Sequence, residues 1–266
     1  GVTTGVQNTL IGSLAGDAIT DADSNVAIGF ESLTTNILGS KSVAVGQGTL
    51  SDQNPATAVD MFNTAVGYNA GSGVTTGINN TLIGATAGDA ITTGQQNTAV
   101  GRASLGATTT ANNNTAMGYY ALTTNTTAAD NTAFGASALS ANTTGSSNTA
   151  VGKGAGLSVT TGAQNTLIGG LAGDSITTGG NNVALGYNAL ISDTQGTGST
   201  AVGKQSLSSQ NFATASSPYN TGLGFATGSA ITTGVFNTLV GALAGDALTD
   251  ADHNTAVGYL ALSADT

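Results

Sequence analysis

The sequence contains no cysteine and no tryptophan, one histidine, two prolines and only four basic side chains in 266 residues. Without cysteine there is no disulfide, and nothing speaks to the redox compartment. Charged residues make up only 7% of a chain that holds 40 glycines, which excludes a coiled coil, and the glycines follow no strict Gly-X-Y period, which excludes collagen. No apolar run is long enough to cross a bilayer. The four Lys and Arg face 14 Asp and Glu, and a net charge of −10 repels phosphate backbones, so nucleic acid is not an expected partner. One His (His253) and one Glu (Glu31) leave Asp as the only plentiful acid or base. Neither an initiator Met nor a signal peptide is present, and both ends fall inside a repeat, so the chain reads as a fragment of a longer protein.

What the sequence has in abundance is itself. Asn63, Asn80 and Asn97 open three near-identical segments 17 residues apart, and the same comb extends through Asn8, Asn25, Ser42, Asn114, Asn131, Asn148, Asn165, Asn182, Ser199, Asn220, Asn237 and Asn254, making 15 units. Two steps, 42 to 63 and 199 to 220, are 21 residues long. Those long units lie 157 residues apart, so residues 1–109 realign with 158–266 as a repeat of nine units. A fixed short period marks a stacked architecture in which each unit buries its face against its neighbours. Residues 1–266 are therefore expected to form a single continuous repeat domain.

Within each unit, counted from its anchor, position 5 is always Gly, as at Gly67, Gly84 and Gly101. Glycine alone accepts positive φ and close backbone approach at no steric cost, so this column predicts a tight bend or a crowded contact. Position 8 is always Ala, Ser or Thr. Seven units have Gly at position 9 and an aliphatic residue at position 12 (Gly88 with Ile91, for example). The other eight have Leu at position 9 and a polar residue at position 12: Asn36, Gln53, Thr108, Asn125, Asn142, Asp193, Gln210 and Asp265. This exchange predicts one buried slot filled from either of two places, because filling it twice overpacks the core and leaving it empty opens a cavity.

Positions 1 to 5, N-T-A-V-G, read as a strand, and the Thr-Thr-Gly and polar positions that follow read as turns. A 17-residue period is too short for a helical repeat. The expected fold is all-β, a parallel β-solenoid or β-roll, with coils about 4.7 to 4.9 Å apart and a length of roughly 70 Å. The anchor Asn side chains (Asn63, Asn80, Asn97 and their equivalents) can form an amide ladder, interrupted at Ser42 and Ser199. Positions 3 and 4 are both apolar although they point to opposite faces of a strand. One fills the interior, and the other needs cover from partner chains.

The motif N-T-A-V-G-x-x-A-L followed by N-T-T-G-x-x-N-T-A, as in residues 131–152, resembles the repeats of trimeric autotransporter adhesin heads of the YadA type and of phage tail fibres. The period of 17 departs from the 14 or so of the YadA head. The resemblance implies a left-handed, homotrimeric β-roll in an extracellular fibre, on a cell surface or a virion. It also implies attachment to a host-cell glycan or matrix protein, or service as a rigid spacer. Rival expectations are a self-assembling filament without a receptor, an ice-binding rod built on the Thr columns, and a polysaccharide-degrading tailspike using carboxylate pairs. No enzymatic activity and no membrane contact within this segment are expected.

Two features stand out from the repeat. Asp17, Asp21 and Asp23, and again Asp246, Asp250 and Asp252, place carboxylates where Ca²⁺ could be shared, although a solvated turn is the expected reading and no cofactor is required. The two long units contain both prolines, Pro55 and Pro218, and set Phe62 and Tyr219 directly before an anchor. Such insertions are expelled as loops, often on a binding face. Here the expected arrangement is a loop packed on a neighbouring coil and held by its aromatic ring.

Overall fold

The computed structural model describes residues 2–263, and Asp265 lies outside them. Every described element is a β-strand, numbered β1 to β17 in chain order. The chain forms a parallel β-solenoid of 15 coils divided into two compact units. In the first, Gly1–Asn131, strands β1 (Thr9–Ile11), β2 (Val26–Ile28), β4 (Val43–Val45), β6 (Thr64–Val66), β7 (Thr81–Ile83), β8 (Thr98–Val100) and β9 (Thr115–Met117) stack in that order. A short side ladder pairs β3 (Gly39–Ser40) with β5 (Val59–Asp60) at the long coil. The second unit, Thr132–Thr266, stacks β10 (Thr132–Phe134) through β17 (Thr255–Val257) consecutively. Within each unit equivalent residues pair, as in Thr64↔Thr81 and Ala65↔Leu82, and the long coils keep register too, with Thr200 opposite Thr221.

Each strand of the main stack covers positions 2 to 4, and its alternation decides the question the sequence left open. Position 3 (Ala65, Leu82, Ala133) is fully buried, whereas position 4 (Val66, Ile83, Phe134) faces outward. Position 5 then bends the chain. Gly84 has φ +134°, and a Cβ there would lie 2.7 Å from both the carbonyl carbon and oxygen of Gly101 in the next coil. The glycine column is thus a backbone-to-backbone contact that admits no side chain.

Three further corners lie in the left-handed region without needing glycine. Positions 7, 9 and 17 hold φ near +50° to +60° in ordinary residues, for example Asn69 (53°), Leu105 (52°) and Gln96 (58°). An L-residue pays roughly 1 to 2 kcal/mol for that conformation. For Leu105 the cost is offset by burial of the whole side chain, about 1.5 to 3 kcal/mol.

The slot exchange is real but involves a third position. A Cβ on Gly88 would lie 2.8 Å from Ile91 Cδ1, as a shared slot requires, and also 2.7 Å from Leu82 Cδ2 at position 3 of the same coil. Where position 3 is small, a neighbouring coil fills the space. A Cβ on Gly71 would meet Leu82 of the next coil at 2.6 Å and Leu50 of the preceding one at 3.0 Å. The slot is therefore a continuous apolar column partitioned among positions 3, 9 and 12 of successive coils. At position 12 Asn36 turns to the backbone: its Nδ2 donates to the Gly39 carbonyl at 2.7 Å, and Gly39 N–H donates to its Oδ1 at 3.0 Å.

The amide ladder forms as expected. Asn80 donates its backbone N–H to Asn63 Oδ1 at 2.9 Å and its Nδ2 to the same oxygen at 3.3 Å and to the Gly94 carbonyl at 2.9 Å. At the two serine anchors the ladder is repaired. Gln53, at position 12 of the same long coil, donates Nε2 to Ser42 Oγ at 3.1 Å, and its Oε1 accepts from Asn63 Nδ2 at 3.0 Å. Gln210 repeats this between Ser199 (3.0 Å) and Asn220 (2.9 Å).

Candidate interaction surface

Because the core absorbs positions 3, 9 and 12, whatever the protein does outward falls to the other positions. The outward residue of each strand, position 4, is apolar in every coil. Ile11, Val66, Ile83, Phe134, Leu185, Leu223 and Val257 are all exposed. In-register pairing lines them up with the half-exposed valines and isoleucines of the intervening coils, giving a continuous apolar column within each unit. Thr at position 2 flanks it. The threonines at position 13 are engaged elsewhere: Thr92 Oγ1 donates to the Thr109 carbonyl and Thr160 Oγ1 to the Thr177 carbonyl, both at 3.1 Å. Their hydroxyl protons bind coil to coil.

The two acidic clusters do not converge. Asp21 Oδ1 accepts from Thr4 Oγ1 at 2.6 Å, Asp23 Oδ1 from the Val6 N–H at 2.7 Å, and Asp252 Oδ1 from the Val235 N–H at 2.7 Å, each reaching back to the preceding coil. Asp250 accepts from its neighbour Thr249, Asp17 is exposed, and Asp246 carries a buried Oδ1 without a hydrogen-bond partner. Among the described residues no group of three His, Cys, Asp or Glu could hold a metal ion.

The long loops anchor differently from the expectation. The rings before the anchors, Phe62 and Tyr219, are exposed. Phe62 lies under Lys41 Nζ, 5.3 Å from the ring centroid, and Lys41 in turn pairs with Asp60 at 2.6 Å. Tyr219 stacks on Phe236 (6.1 Å), which stacks on His253 (5.0 Å). Backbone geometry explains the exposure, since the residue before each anchor, position 17 in a regular coil and 21 in a long one, is a left-handed corner (Phe62 φ 50°, Tyr219 φ 47°) that carries its side chain outside the coil. The buried anchors are instead Pro55 with Met61 in one loop and Phe212 with Pro218 in the other. Aligning the loops shows an exchange: the large apolar plug sits at the second end of the first loop and at the first end of the second, with proline at the opposite end each time.

One carboxyl is deeply buried. Asp193 accepts from Gln210 Nε2 (2.6 Å), the Gly196 N–H (3.0 Å) and the Phe212 N–H (3.2 Å), yet burial holds its pKa above the ordinary carboxylate value. Its bonds tie the second long loop to the preceding coil, a structural task. Burial also raises Asp89 and Asp174. No pocket opens among the described residues. No protein-family model, curated protein or solved structure matches this chain.

Proposed function

We propose that this chain is a structural, non-enzymatic segment of an extracellular fibre on a cell surface or virion, a left-handed solenoid in which three identical chains pack together. The fibre attaches to a surface or holds an attaching element away from one. The observation that carries this reading is the uncovered apolar column at position 4, from Ile11 through Val66 and Ile83 in the first unit and from Phe134 through Leu185 to Val257 in the second. Burying apolar surface contributes about 25 cal/mol per Å², and a column that repeats at every coil presents the same contact to an identical column on another copy. Closed cyclic symmetry satisfies such columns without leaving a free edge, and the N-T-A-V-G resemblance gives the number three.

Repetition supports the spacer role, because coils that share one packing scheme divide no unique task among them. Sedimentation equilibrium tests the reading: one discrete oligomer supports it, and a monomer overturns it. A distribution of ever-larger species would instead mark a self-assembling filament.

A further inference from the structure

Position 6, the residue after each invariant glycine, concentrates basic and aromatic side chains. Three of the four basic side chains (Arg102, Lys153, Lys204) and six of the 12 aromatic residues (Phe30, Tyr68, Tyr119, Tyr187, Phe225, Tyr259) occupy this column. No acidic residue does, in a chain of net charge −10. From the eleventh coil to the fifteenth the column reads Tyr187, Lys204, Phe225, Ala242, Tyr259, a ring at every second coil. Phe30, Gln47 and Tyr68 show the same alternation in the first unit.

The backbone fixes this spacing. Gln205 N–H donates to the Tyr187 carbonyl, Ala226 to Lys204 and Leu243 to Phe225, each at 2.9 Å, and Leu260 donates to Ala242 at 3.1 Å. The long coil leaves the column undisturbed, because its extra residues follow position 12 and Val202 still pairs with Leu223. At the spacing of paired strands, rings two coils apart stand roughly 9 to 10 Å apart. Tyr187, Phe225 and Tyr259 are 51%, 48% and 72% exposed.

We propose that Tyr187, Lys204, Phe225 and Tyr259 form a binding line for an extended β-1,4-linked glycan that carries carboxylates. The electron-rich face of an aromatic ring attracts the polarised C–H groups on one face of a pyranose. In an extended β-1,4-linked chain successive sugars turn over, so the same face returns at every second sugar, a repeat that matches rings on every second coil. In an α-1,4-linked galacturonan the axial linkages buckle the chain, so its sugars present no common flat face to a row of rings. Lys204, between two of the rings and 5.9 Å from the Phe225 centroid, supplies the cation for a carboxylate, and Lys153 adds positive charge two coils before Tyr187. The charge pattern selects an acidic polymer despite the acidity of the whole chain. A line without a concavity suits a polymer rather than a small ligand. This column follows the bends at Gly186, Gly224 and Gly258 and so lies outside the strands assigned above to chain–chain contact, and the inference does not rest on the fibre reading.

Native electrophoresis through gels containing carboxymethylcellulose, hydroxyethylcellulose, polygalacturonate or dextran tests it. The protein should be retarded most by carboxymethylcellulose, less by hydroxyethylcellulose, and not by polygalacturonate or dextran. Tyr187→Ala, Phe225→Ala and Tyr259→Ala should each weaken retardation roughly two- to tenfold, with melting temperature unchanged because the rings are exposed. Lys204→Gln should remove the preference for the acidic polymer while retaining the neutral one. Free migration of the unaltered protein in carboxymethylcellulose, equal retardation by polygalacturonate, or ring variants that bind like the parent would overturn the proposal. So would a triple ring variant that changes the oligomer mass, which would make the column a contact between chains. A monomer that binds carboxymethylcellulose overturns the fibre reading alone, and an oligomer that does not bind overturns this inference alone.

Discussion

Gln53 Oε1 accepts a hydrogen bond from Asn63 Nδ2 at 3.0 Å, in the place where every regular coil would present the oxygen of an anchor asparagine. Ser42 is too short to reach, and a glutamine 11 residues later in the same coil supplies the amide instead. Ser199 with Gln210 does the same. Gln53→Met keeps the volume and removes the amide. It should cost about 1 to 3 kcal/mol, the penalty of stranding buried polar partners, measured by denaturant unfolding. A cost no greater than that of an exposed substitution would show that the ladder contributes nothing at this coil.

The apolar column makes a sharper demand. Ile91→Ala should cost about 2 to 5 kcal/mol by opening a cavity, and Gly88→Leu about 1 to 3 kcal/mol by overpacking. The double change Gly88→Leu with Ile91→Asn should remain destabilised, because Leu82 still occupies the space. Adding Leu82→Ala converts the coil to the Leu105 type and should recover most of the loss. Full recovery by the double variant would remove position 3 from the slot.

Gly84→Ala places a Cβ 2.7 Å from the Gly101 carbonyl group at φ +134°. Neither backbone can yield without breaking strand register, so a loss of at least about 1 to 3 kcal/mol is expected from the forced conformation. A melting temperature within error of the parent would contradict the close-contact account of the glycine column.

Asp193 predicts a pH dependence. Burial raises its carboxyl above the ordinary 3.8, so the unfolded chain loses this proton at lower pH than the folded chain does. Stability therefore falls as pH rises from about 3.8 through the folded pKa, and is level in this respect above it. Asn36 occupies the corresponding place beside Gln53 and donates to the Gly39 carbonyl. Asp193→Asn should accordingly raise the melting temperature at neutral pH, by an amount that shrinks as the pH is lowered towards 3.8. A gain independent of pH would assign the effect to packing.

Much of this was legible from residues alone. The period, the parallel in-register strands, the anchor ladder and the Gly88/Ile91 exchange follow from columns of identical residues, because in-register stacking turns sequence identity into contact. Leu82 was missed as the third partner because position 3 is Ala in most coils and its leucines reach into neighbouring ones. The left-handed corners at Asn69, Leu105 and Gln96 give no residue signal, since closure of the coil imposes them on ordinary side chains. That corner geometry also put Phe62 and Tyr219 outside, while Met61 and Phe212, which lie at different ends of aligned loops, took the anchoring role. The Asp17 and Asp246 clusters looked alike in sequence but do not gather, because Asp21, Asp23 and Asp252 are each drawn to the preceding coil and Asp250 to its neighbour Thr249.

The outer strand column should control assembly separately from folding. Leu185→Asp with Leu223→Asp alters two exposed residues of adjacent odd coils, so each chain should keep its β-rich circular dichroism while the oligomer dissociates. Loss of the fold together with the oligomer would place these residues in the chain's own core.

The most direct test of the central claim is the mass of the unaltered protein by sedimentation equilibrium over a wide concentration range. Three chains of 25.6 kDa packed through the position 4 column should behave as a single species of three times that mass. A stable species of 25.6 kDa at every concentration would contradict the claim.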